Sequence, residues 1–283
     1  MAKLLEGKPI AEKIKDEIRQ QIQSLKNKPV LSSVMVGDNA GAEAYVKSQQ
    51  KSAQNLGIEY QFHKLAQGTT ESQLIDFIQK LNLDKSVNGI IIQMPLPPQI
   101  DYKKISQFIL PEKDVEGMHP VNIGKIVFGK ARILPCTAAA VMELLKETGA
   151  DLYGREVVVV GHSEIVGKPL ALLLLDKFAT VTVCHIGTSK AQKLEEHVRK
   201  AEVLIVAVGK AGLIKGDWIK EGAIVIDVGI NRVGDKIVGD IEFETAEKKA
   251  SYITPVPGGV GPLTVTMLMR NLVEATKLQI SER

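Results

Sequence analysis

A run of four valines that ends at a glycine constrains the fold of this chain more than any other feature. Such a run, residues 157–160, is typical of a strand buried on both faces of a parallel sheet. The residues that follow, Gly161-His162-Ser163-Glu164-Ile165-Val166-Gly167, predict a glycine turn that opens a helix ending near Lys177. Bare N–H groups and the helix dipole at such a turn can hold the pyrophosphate of a dinucleotide. The match to G-x-G-x-x-G is imperfect, because Ser163 replaces a glycine and Gly167 comes one residue late.

Length and composition exclude several classes of protein. The chain has 283 residues, of which 45% are hydrophobic, enough for two domains. Its net charge of +3, without a basic tract, argues against a nucleic-acid partner. The longest apolar run, 169–175, is too short for a bilayer, and the charged N-terminus has no signal-peptide core, so we expect a cytoplasmic protein without a membrane partner. Cys136 and Cys184 form neither a disulfide framework nor a metal motif, so no metal site is predicted.

Predicted strands and helices alternate along the chain, which favours a parallel α/β construction. The predicted strands are 30–36, 58–65, 89–94, 157–160, 180–185, 203–208 and 223–228. Helices are predicted at 42–56 and 71–81 and from residue 137 to 148, and the turn-rich stretch 111–122 is predicted to be a hinge. Two of the later strands end in glycine turns, at Gly209 and Gly229. Because parallel strands bind ligands at their carboxyl ends, these turns are candidate binding loops.

The segment 253–264 combines three prolines with three glycines and precedes an apolar helix that reaches about Lys277. Stiff prolines beside permissive glycines predict a fixed loop whose backbone can approach a flat ligand closely. A linker between domains is the alternative interpretation.

Six motifs occur in a fixed order: YVKSQQK after VGDN, IIIQMPLPP, PEKDVEGMHP, VVVVGHSEIVGKP, AIVIDVGIN and ITPVPGGVGPLT. Over nearly the whole chain they resemble the methylenetetrahydrofolate dehydrogenase/cyclohydrolase family. The resemblance implies an α/β fold of two domains. Residues 1–136, with the C-terminal helix returning at 265–283, would form the folate-binding catalytic domain, and residues 137–264 a Rossmann-type NAD(P)-binding domain. The family resemblance also implies a homodimer.

The resemblance further implies a reaction and a set of site residues. Hydride would pass from 5,10-methylenetetrahydrofolate to the nicotinamide of NAD or NADP, held against the folate in a cleft, and water would then open the methenyl product to 10-formyltetrahydrofolate. The implied catalytic positions are Tyr45, Gln49, Gln93 and Glu116. The implied folate-binding positions are Tyr45, Pro257, Gly258, Gly259 and Pro262. The implied cofactor-binding positions are Gly161, His162, Ser163, Ile165, Gly167, Ile186, Gly209, Gly229 and Ile230.

Gln49 departs from the family pattern Y-V-x-x-K-x-K, in which a lysine four residues after the tyrosine serves the hydrolysis above all. On a helix that advances about 100° per residue, Tyr45 and Gln49 share a face, while Lys47 and Lys51 point elsewhere. A glutamine amide can donate a hydrogen bond but does not exchange protons near neutral pH. Because acid–base help is worth about 10² to 10⁴ in rate, we expect weak or absent cyclohydrolase activity.

Glu116 is a second departure, since the family's D-V-D-G becomes Asp114-Val115-Glu116-Gly117. The extra methylene, at the residue implied to hold the pterin ring, can move its carboxylate by about 1 Å. Gln93 matches the family and would normally bond the missing lysine. Three alternatives remain open: a fully bifunctional enzyme in which another lysine compensates, a non-catalytic folate or dinucleotide binding protein, and neutral drift at both positions.

Two more substitutions bear on the choice between NAD and NADP. His162 stands where the family often has an arginine that pairs with the 2′-phosphate, and histidine is mostly neutral at pH 7. Ile186 stands where a serine or arginine often follows histidine, and it cannot bond a phosphate. No acid is present at that strand end for the ribose hydroxyls of NAD, and residues 188–190 could still form a phosphate site. The sequence favours NAD by a small margin.

Overall fold

The computed structural model describes residues 1–281 as two compact units. The six-stranded unit contains Met1–Glu12 and Thr137–Thr264, and the three-stranded unit contains Lys13–Cys136 and the described residues from Val265 onward. The first twelve residues were expected in the catalytic domain, and here the structure differs. They belong to the six-stranded unit because their short strand is hydrogen-bonded to the edge of its sheet.

The predicted alternation of strands and helices is present in the described chain. The strands are β1 (Lys3–Leu4), β2 (Val30–Val36), β3 (Glu59–Leu65), β4 (Gly89–Ile92), β5 (Glu156–Val160), β6 (Thr180–Cys184), β7 (Val203–Val206), β8 (Ile224–Asp227), β9 (Asn231–Val233), β10 (Lys236–Val238) and β11 (Tyr252–Ile253). The helices are α1 (Gly7–Gln23), α2 (Ala40–Leu56), α3 (Glu71–Leu83), α4 (Tyr102–Ile105), α5 (Pro120–Val127), α6 (Cys136–Glu147), α7 (Gly167–Leu175), α8 (Ile186–Lys190), α9 (Leu194–Lys200), α10 (Phe243–Ala246) and α11 (Val260–Ser281).

The larger sheet is fully parallel and has the order β1-β11-β8-β7-β5-β6. Its register places the last residue of β5, Val160, beside Cys184 of β6 and Val206 of β7, and Val206 lies beside Asp227 of β8. Four strands therefore end at one edge, and the loops that follow them start from the same level. The parallel pairing confirms the predicted parallel α/β fold, and the common strand edge places the predicted binding loops side by side.

The smaller sheet is also parallel, with the order β3-β2-β4. All seven residues of the central strand β2 are buried, including Ser32 and Ser33. Buried polar side chains need hydrogen-bond partners, so these serines mark a place where the interior of the unit is polar rather than purely apolar.

The stretch 111–122, predicted to be a hinge, is packed into the three-stranded unit, so that prediction is wrong. Lys113, Asp114 and Val115 are buried. The Lys113 ammonium donates to three carbonyl oxygens near the end of α3, those of Leu81, Asn82 and Asp84, at 2.7–2.9 Å. A buried charge needs such partners, and these bonds fix the segment against the helix.

Two helix boundaries also differ from the predictions. The helix expected directly after Gly161 begins only at Gly167, because the Ser163 side chain and carbonyl accept hydrogen bonds from the N–H groups of Val166 and Lys168 and close a turn first. The proline- and glycine-rich loop ends earlier than expected, since α11 begins at Val260. Pro262 fits its first turn because the N–H that proline lacks has no helical partner there.

Within residues 1–281, every helix is too short or too polar to serve as a membrane span.

Candidate functional site

Gln49 lies at the centre of a buried polar network in the three-stranded unit. Its Oε1 accepts hydrogen bonds from the Tyr60 hydroxyl and from Gln93 Nε2, each at 2.8 Å. Gln93 Nε2 also donates to Ser33 Oγ at 3.0 Å. Gln49 is fully buried, and its Nε2 has no hydrogen-bond partner among the described residues. The network therefore joins α2, β2, β3 and the end of β4, and it leaves one buried donor unsatisfied.

The two neighbouring lysines lie outside this network, as the helical spacing predicts. Lys47 and Lys51 are both exposed on α2, whereas Gln49 on the same helix is fully buried. Gln49 is fully buried and its oxygen accepts two hydrogen bonds, so it is not an ordinary exposed helix residue. The position holds a neutral amide where the family pattern has a cation.

Glu116 belongs to a cluster of weakly ionised groups beside this network. Burial, with a further contribution from the Asp114 carboxylate, raises the pKa of Glu116 to about 8. The Tyr102 hydroxyl donates to Glu116 Oε2 at 3.2 Å. Tyr45 is 39% exposed, yet burial, followed by Cys136 and Glu116, raises the pKa of its phenol. The raised pKa values favour the protonated forms of Glu116 and Tyr45 near neutral pH.

The segment that carries Glu116 is held rigidly on both sides. Asp114 Oδ2 accepts hydrogen bonds from the His119 N–H at 2.7 Å and from Asn122 Nδ2 at 2.9 Å. These bonds connect the segment to the first turn of α5. Asn271 of α11 donates through its Nδ2 to the Val115 carbonyl at 2.9 Å. The C-terminal helix thus supports the acid cluster from a distant part of the sequence.

The glycine turn after β5 is present in the six-stranded unit. Gly161 has φ +126°, and a Cβ there would overlap the carbonyl oxygen of Ala207. A Cβ at Gly167 would in turn overlap the carbonyl oxygen of Gly161. Only glycine fits either position, so the path of this turn is fixed by the absence of side chains.

A cavity of about 360 Å³ lies at the carboxyl edge of the larger sheet, within the six-stranded unit. Its lining includes His162, Ser163, His185, Ile186, Val208 and Lys210. The rings of His162 and His185 lie 5.1 Å apart between centroids. His185 Nδ1 accepts from the Gly187 N–H at 3.1 Å, and the Thr188 hydroxyl accepts from the His185 N–H at 3.2 Å. Thr188 is thus already engaged in capping α8.

Exposed isoleucines surround the predicted cofactor loops. Ile165 is 51% exposed, Ile186 67% and Ile230 68%. Leu83 and Phe128, far from these loops in the sequence, are exposed to a similar degree, so the exposure of the isoleucines does not by itself mark a binding surface. Gly209 and Gly229 lie on the adjacent loops, but both of their N–H groups are bonded to buried aspartates, so neither N–H is free for a phosphate.

The predicted folate loop, residues 255–262, lies in the six-stranded unit, whereas Tyr45, Gln49, Gln93 and Glu116 lie in the three-stranded unit. The Gly258 carbonyl accepts from the Gly7 N–H at 2.9 Å, and the Gly259 N–H donates to the Pro255 carbonyl at 2.8 Å. Pro257 and Pro262 are exposed. These bonds make the segment an ordered loop at the end of the six-stranded unit.

Sequence reasoning missed several members of these sites. Ser33, a polar residue within an apolar strand, gave a usable signal. Tyr60 and Tyr102 gave none, because only the pairing of β3 with β2 and the folding back of α4 bring them to Gln49 and Glu116. Asp227 and Asp240, which accept hydrogen bonds from the predicted cofactor loops, were also missed, although Asp227 ends an otherwise apolar strand.

Comparison with known proteins gives matches over the whole chain. Residues 5–116 match the tetrahydrofolate dehydrogenase/cyclohydrolase catalytic domain, and residues 135–280 match the NAD(P)-binding domain of the same family. Bifunctional protein FolD of Acetivibrio thermocellus is 51% identical over 282 residues, 98% of each chain.

Two solved structures are similar throughout. The bifunctional methylenetetrahydrofolate dehydrogenase/cyclohydrolase FolD of Campylobacter jejuni has a TM-score of 0.95 at 45% identity, covering 98% of this chain and 99% of that one. The Trypanosoma brucei enzyme, in complex with NADP and an inhibitor, has a TM-score of 0.93 at 38% identity, covering 99% and 98%. The resemblance stated from the motifs is confirmed, and the chain belongs to the tetrahydrofolate dehydrogenase/cyclohydrolase family, with the family's NAD(P)-binding domain in its C-terminal half.

Proposed function

We propose that this member of the family oxidises 5,10-methylenetetrahydrofolate by hydride transfer to NAD(P)⁺ and hydrolyses the methenyl product only weakly. The observation that carries the proposal is the buried, neutral Gln49, whose oxygen is bonded by Tyr60 and Gln93. Hydride transfer depends mainly on positioning, because the nicotinamide accepts the hydride. Opening of the methenyl ring needs a group that manages protons, and an amide does not supply one.

The state of Glu116 supports the same proposal. Because its pKa is raised to about 8, its side chain is a neutral acid at pH 7 in the free protein. The pterin ring, which the resemblance places here, presents N–H donors that pair best with a carboxylate. We therefore propose that Glu116 loses its proton when the folate binds, and that folate affinity rises as the pH approaches 8.

Reduced hydrolysis is proposed from Gln49, which stands where the family pattern has a lysine. The relatives are named as bifunctional, and their names give no reason to doubt the second activity. The competing hypothesis is therefore a fully bifunctional enzyme, in which another group activates the water.

Absorbance of the methenyl intermediate separates the two hypotheses. Purified protein is mixed with methylenetetrahydrofolate and either NAD or NADP, and both reduced cofactor and methenyl product are followed with time. We expect the methenyl signal to accumulate and to decay at the rate seen without enzyme. Decay at a catalysed rate would reject reduced hydrolysis, and failure to reduce either cofactor would reject the dehydrogenase itself.

For the cofactor, we propose a preference for NAD over NADP. The exposed Ile186 cannot bond a phosphate, and Thr188 is engaged with His185. His162 stands where the family often has an arginine, and a histidine supplies a full charge only when it is protonated. The ratio of kcat/KM for the two cofactors, measured at pH 8, tests the preference, and a higher value for NADP would contradict it.

We also propose a homodimer located in the cytoplasm. The homodimer follows from the family resemblance, and both cysteines are free thiols, which suits a reducing compartment. Light scattering of the purified protein tests the assembly, and fractionation of source cells tests the location.

A further inference from the structure

Asp240 is a fully buried carboxylate to which the reactions above assign no role. Its two oxygens accept hydrogen bonds from three consecutive backbone N–H groups, residues 208–210, at 2.7–3.0 Å. Oδ1 also accepts from Asn231 Nδ2 at 2.8 Å. The aspartate lies just beyond β10. The loop after β7 that donates to it is 30–32 residues earlier in the sequence. Four donors compensate the cost of burying its charge.

A second buried carboxylate holds Asp240 in place. Asp227, the last residue of β8, accepts from the N–H groups of Gly229, Asp240 and Ile241 at 2.9–3.0 Å. Its own N–H donates to Thr254 Oγ1 at 2.8 Å. The two aspartates therefore form a chain of hydrogen bonds from the end of β8, through Asp240, to the end of β7.

The fit around this pair is close. A Cβ at Gly229 would overlap the Asp240 carboxylate, and a Cβ at Gly239 would overlap that of Asp227. Successive N–H groups turned toward one point form an anion-binding concavity. Here Asp240 fills that concavity, so the loop 208–210 already holds an anion that belongs to the protein.

We propose that Asp240 is a positioning residue for the dinucleotide, acting through the loop 208–210. The inference rests on the proposed function, because it takes the cavity at this sheet edge as the cofactor site. Val208 and Lys210 line that cavity, and Asp240 sets the path of their backbone. Asn231, which the same carboxylate bonds, directly follows the predicted cofactor residue Ile230. One carboxylate thus holds two loops of the site in register.

The test substitution is Asp240→Asn, which keeps the shape but replaces one oxygen by an NH₂ group. That group would face backbone N–H donors, so at least one bond is lost and another becomes repulsive. We expect the Kd of NAD and of NADP to rise by the same factor, about tenfold or more. We expect kcat at saturating cofactor to stay within about twofold, and the KM of the folate to be unchanged.

Calorimetric titration of the folate-free protein with each dinucleotide measures the binding directly. Glu242→Gln is the matched control, because this carboxylate lies two residues away and pairs with Lys215 at the surface; its cofactor Kd should not change. A purely structural role would lower the melting temperature and the active fraction of Asp240→Asn while leaving both Kd values unchanged, and that result would overturn the proposal.

Asn231→Ala covers the case in which Asp240→Asn does not fold, since it removes only one of the four donors. We expect a two- to threefold rise in both Kd values, and unchanged values would overturn the proposal. The titration also separates this inference from the proposed function. A wild-type protein that binds dinucleotide but transfers no hydride contradicts the function and leaves the positioning role testable, whereas one that binds no dinucleotide contradicts both.

Discussion

The two units hold their candidate sites together in different ways. In the six-stranded unit the loops are fixed by glycines and by backbone N–H groups bonded to the buried Asp227 and Asp240. In the three-stranded unit the site is a set of buried side chains, with a partnerless Gln49 Nε2 and a Glu116 whose pKa is raised to about 8. The loop paths in the six-stranded unit thus depend on glycine backbone conformation and on two aspartates. A site made of side chains changes its chemistry with one substitution.

The chain departs from its family pattern in both units. The six-stranded unit keeps the glycines of the predicted cofactor turns but carries His162 and Ile186, whereas the three-stranded unit carries the changes at Gln49 and Glu116. Burial there removes the solvent that would otherwise stabilise ionised forms, so each replacement alters proton chemistry directly.

The largest effect is expected from Gln49→Lys. Because an ammonium can exchange protons and can donate hydrogen bonds to the oxygens of Gln93 and Tyr60, we expect methenyl hydrolysis to rise by about 10² to 10⁴, with hydride transfer little changed. Stopped-flow absorbance of the methenyl species measures the rise. Gln50→Lys adds the same charge on the exposed face of α2 and should leave hydrolysis unchanged. A variant at residue 49 that hydrolyses no faster than wild type would contradict the proposed cause.

Lys113→Met probes the stability of the three-stranded unit. It removes the donor shared by the carbonyls of Leu81, Asn82 and Asp84 and leaves them without that partner, which we expect to cost about 2–4 kcal/mol. Hydrogen exchange should show the loss in this unit and not in the cofactor loops. The control is Lys85→Met, because Lys85 is exposed nearby. Equal stability of the two variants would show that the buried bonds contribute nothing net.

Glu116→Gln should change how stability depends on pH. The folded state keeps the Glu116 proton up to about pH 8, whereas the unfolded chain loses it near 4.5, so the wild-type protein loses stability as the pH rises through that window. Glutamine does not titrate, and we expect the variant to be more stable than wild type by about 2 kcal/mol at pH 9, with the difference shrinking toward pH 5.

Urea denaturation at pH 5, 7 and 9 measures this difference. Glu112→Gln, in the same segment, is the control and should follow the wild-type curve. A constant gap between Glu116→Gln and wild type at all three pH values would mean that Glu116 ionises normally in the folded protein.

The smallest effect is expected from His162→Arg in the six-stranded unit. A permanent cation beside the cavity should lower the KM of NADP about tenfold and leave that of NAD within about twofold. His197→Arg, on α9, adds the same charge outside the cavity lining and should alter neither value. Equal changes for both cofactors would place the 2′-phosphate elsewhere.

Much of the fold was predictable because local patterns specify it. Buried parallel strands require continuous apolar runs, so 30–36 and 157–160 were recognisable, and the observed β2 and β5 agree closely. The segment 111–122 was misjudged, because its prolines and charges look like a surface turn. Only the distant carbonyls at the end of α3 make a buried place for the Lys113 ammonium.

The sequence by itself determined the family, the parallel strands, the glycine turns and the neutral residue at position 49, because each depends on residue type and spacing along the chain. The tertiary structure decided what surrounds those residues. Tyr60 and Gln93 reach Gln49 from other strands, and Asp240 reaches the loop after β7 across the sheet edge. Hydrogen-bond partners and pKa values depend on which atoms come into contact after folding and on how much water remains around them. Residues that are far apart in the sequence make these contacts, so a local sequence pattern does not reveal them.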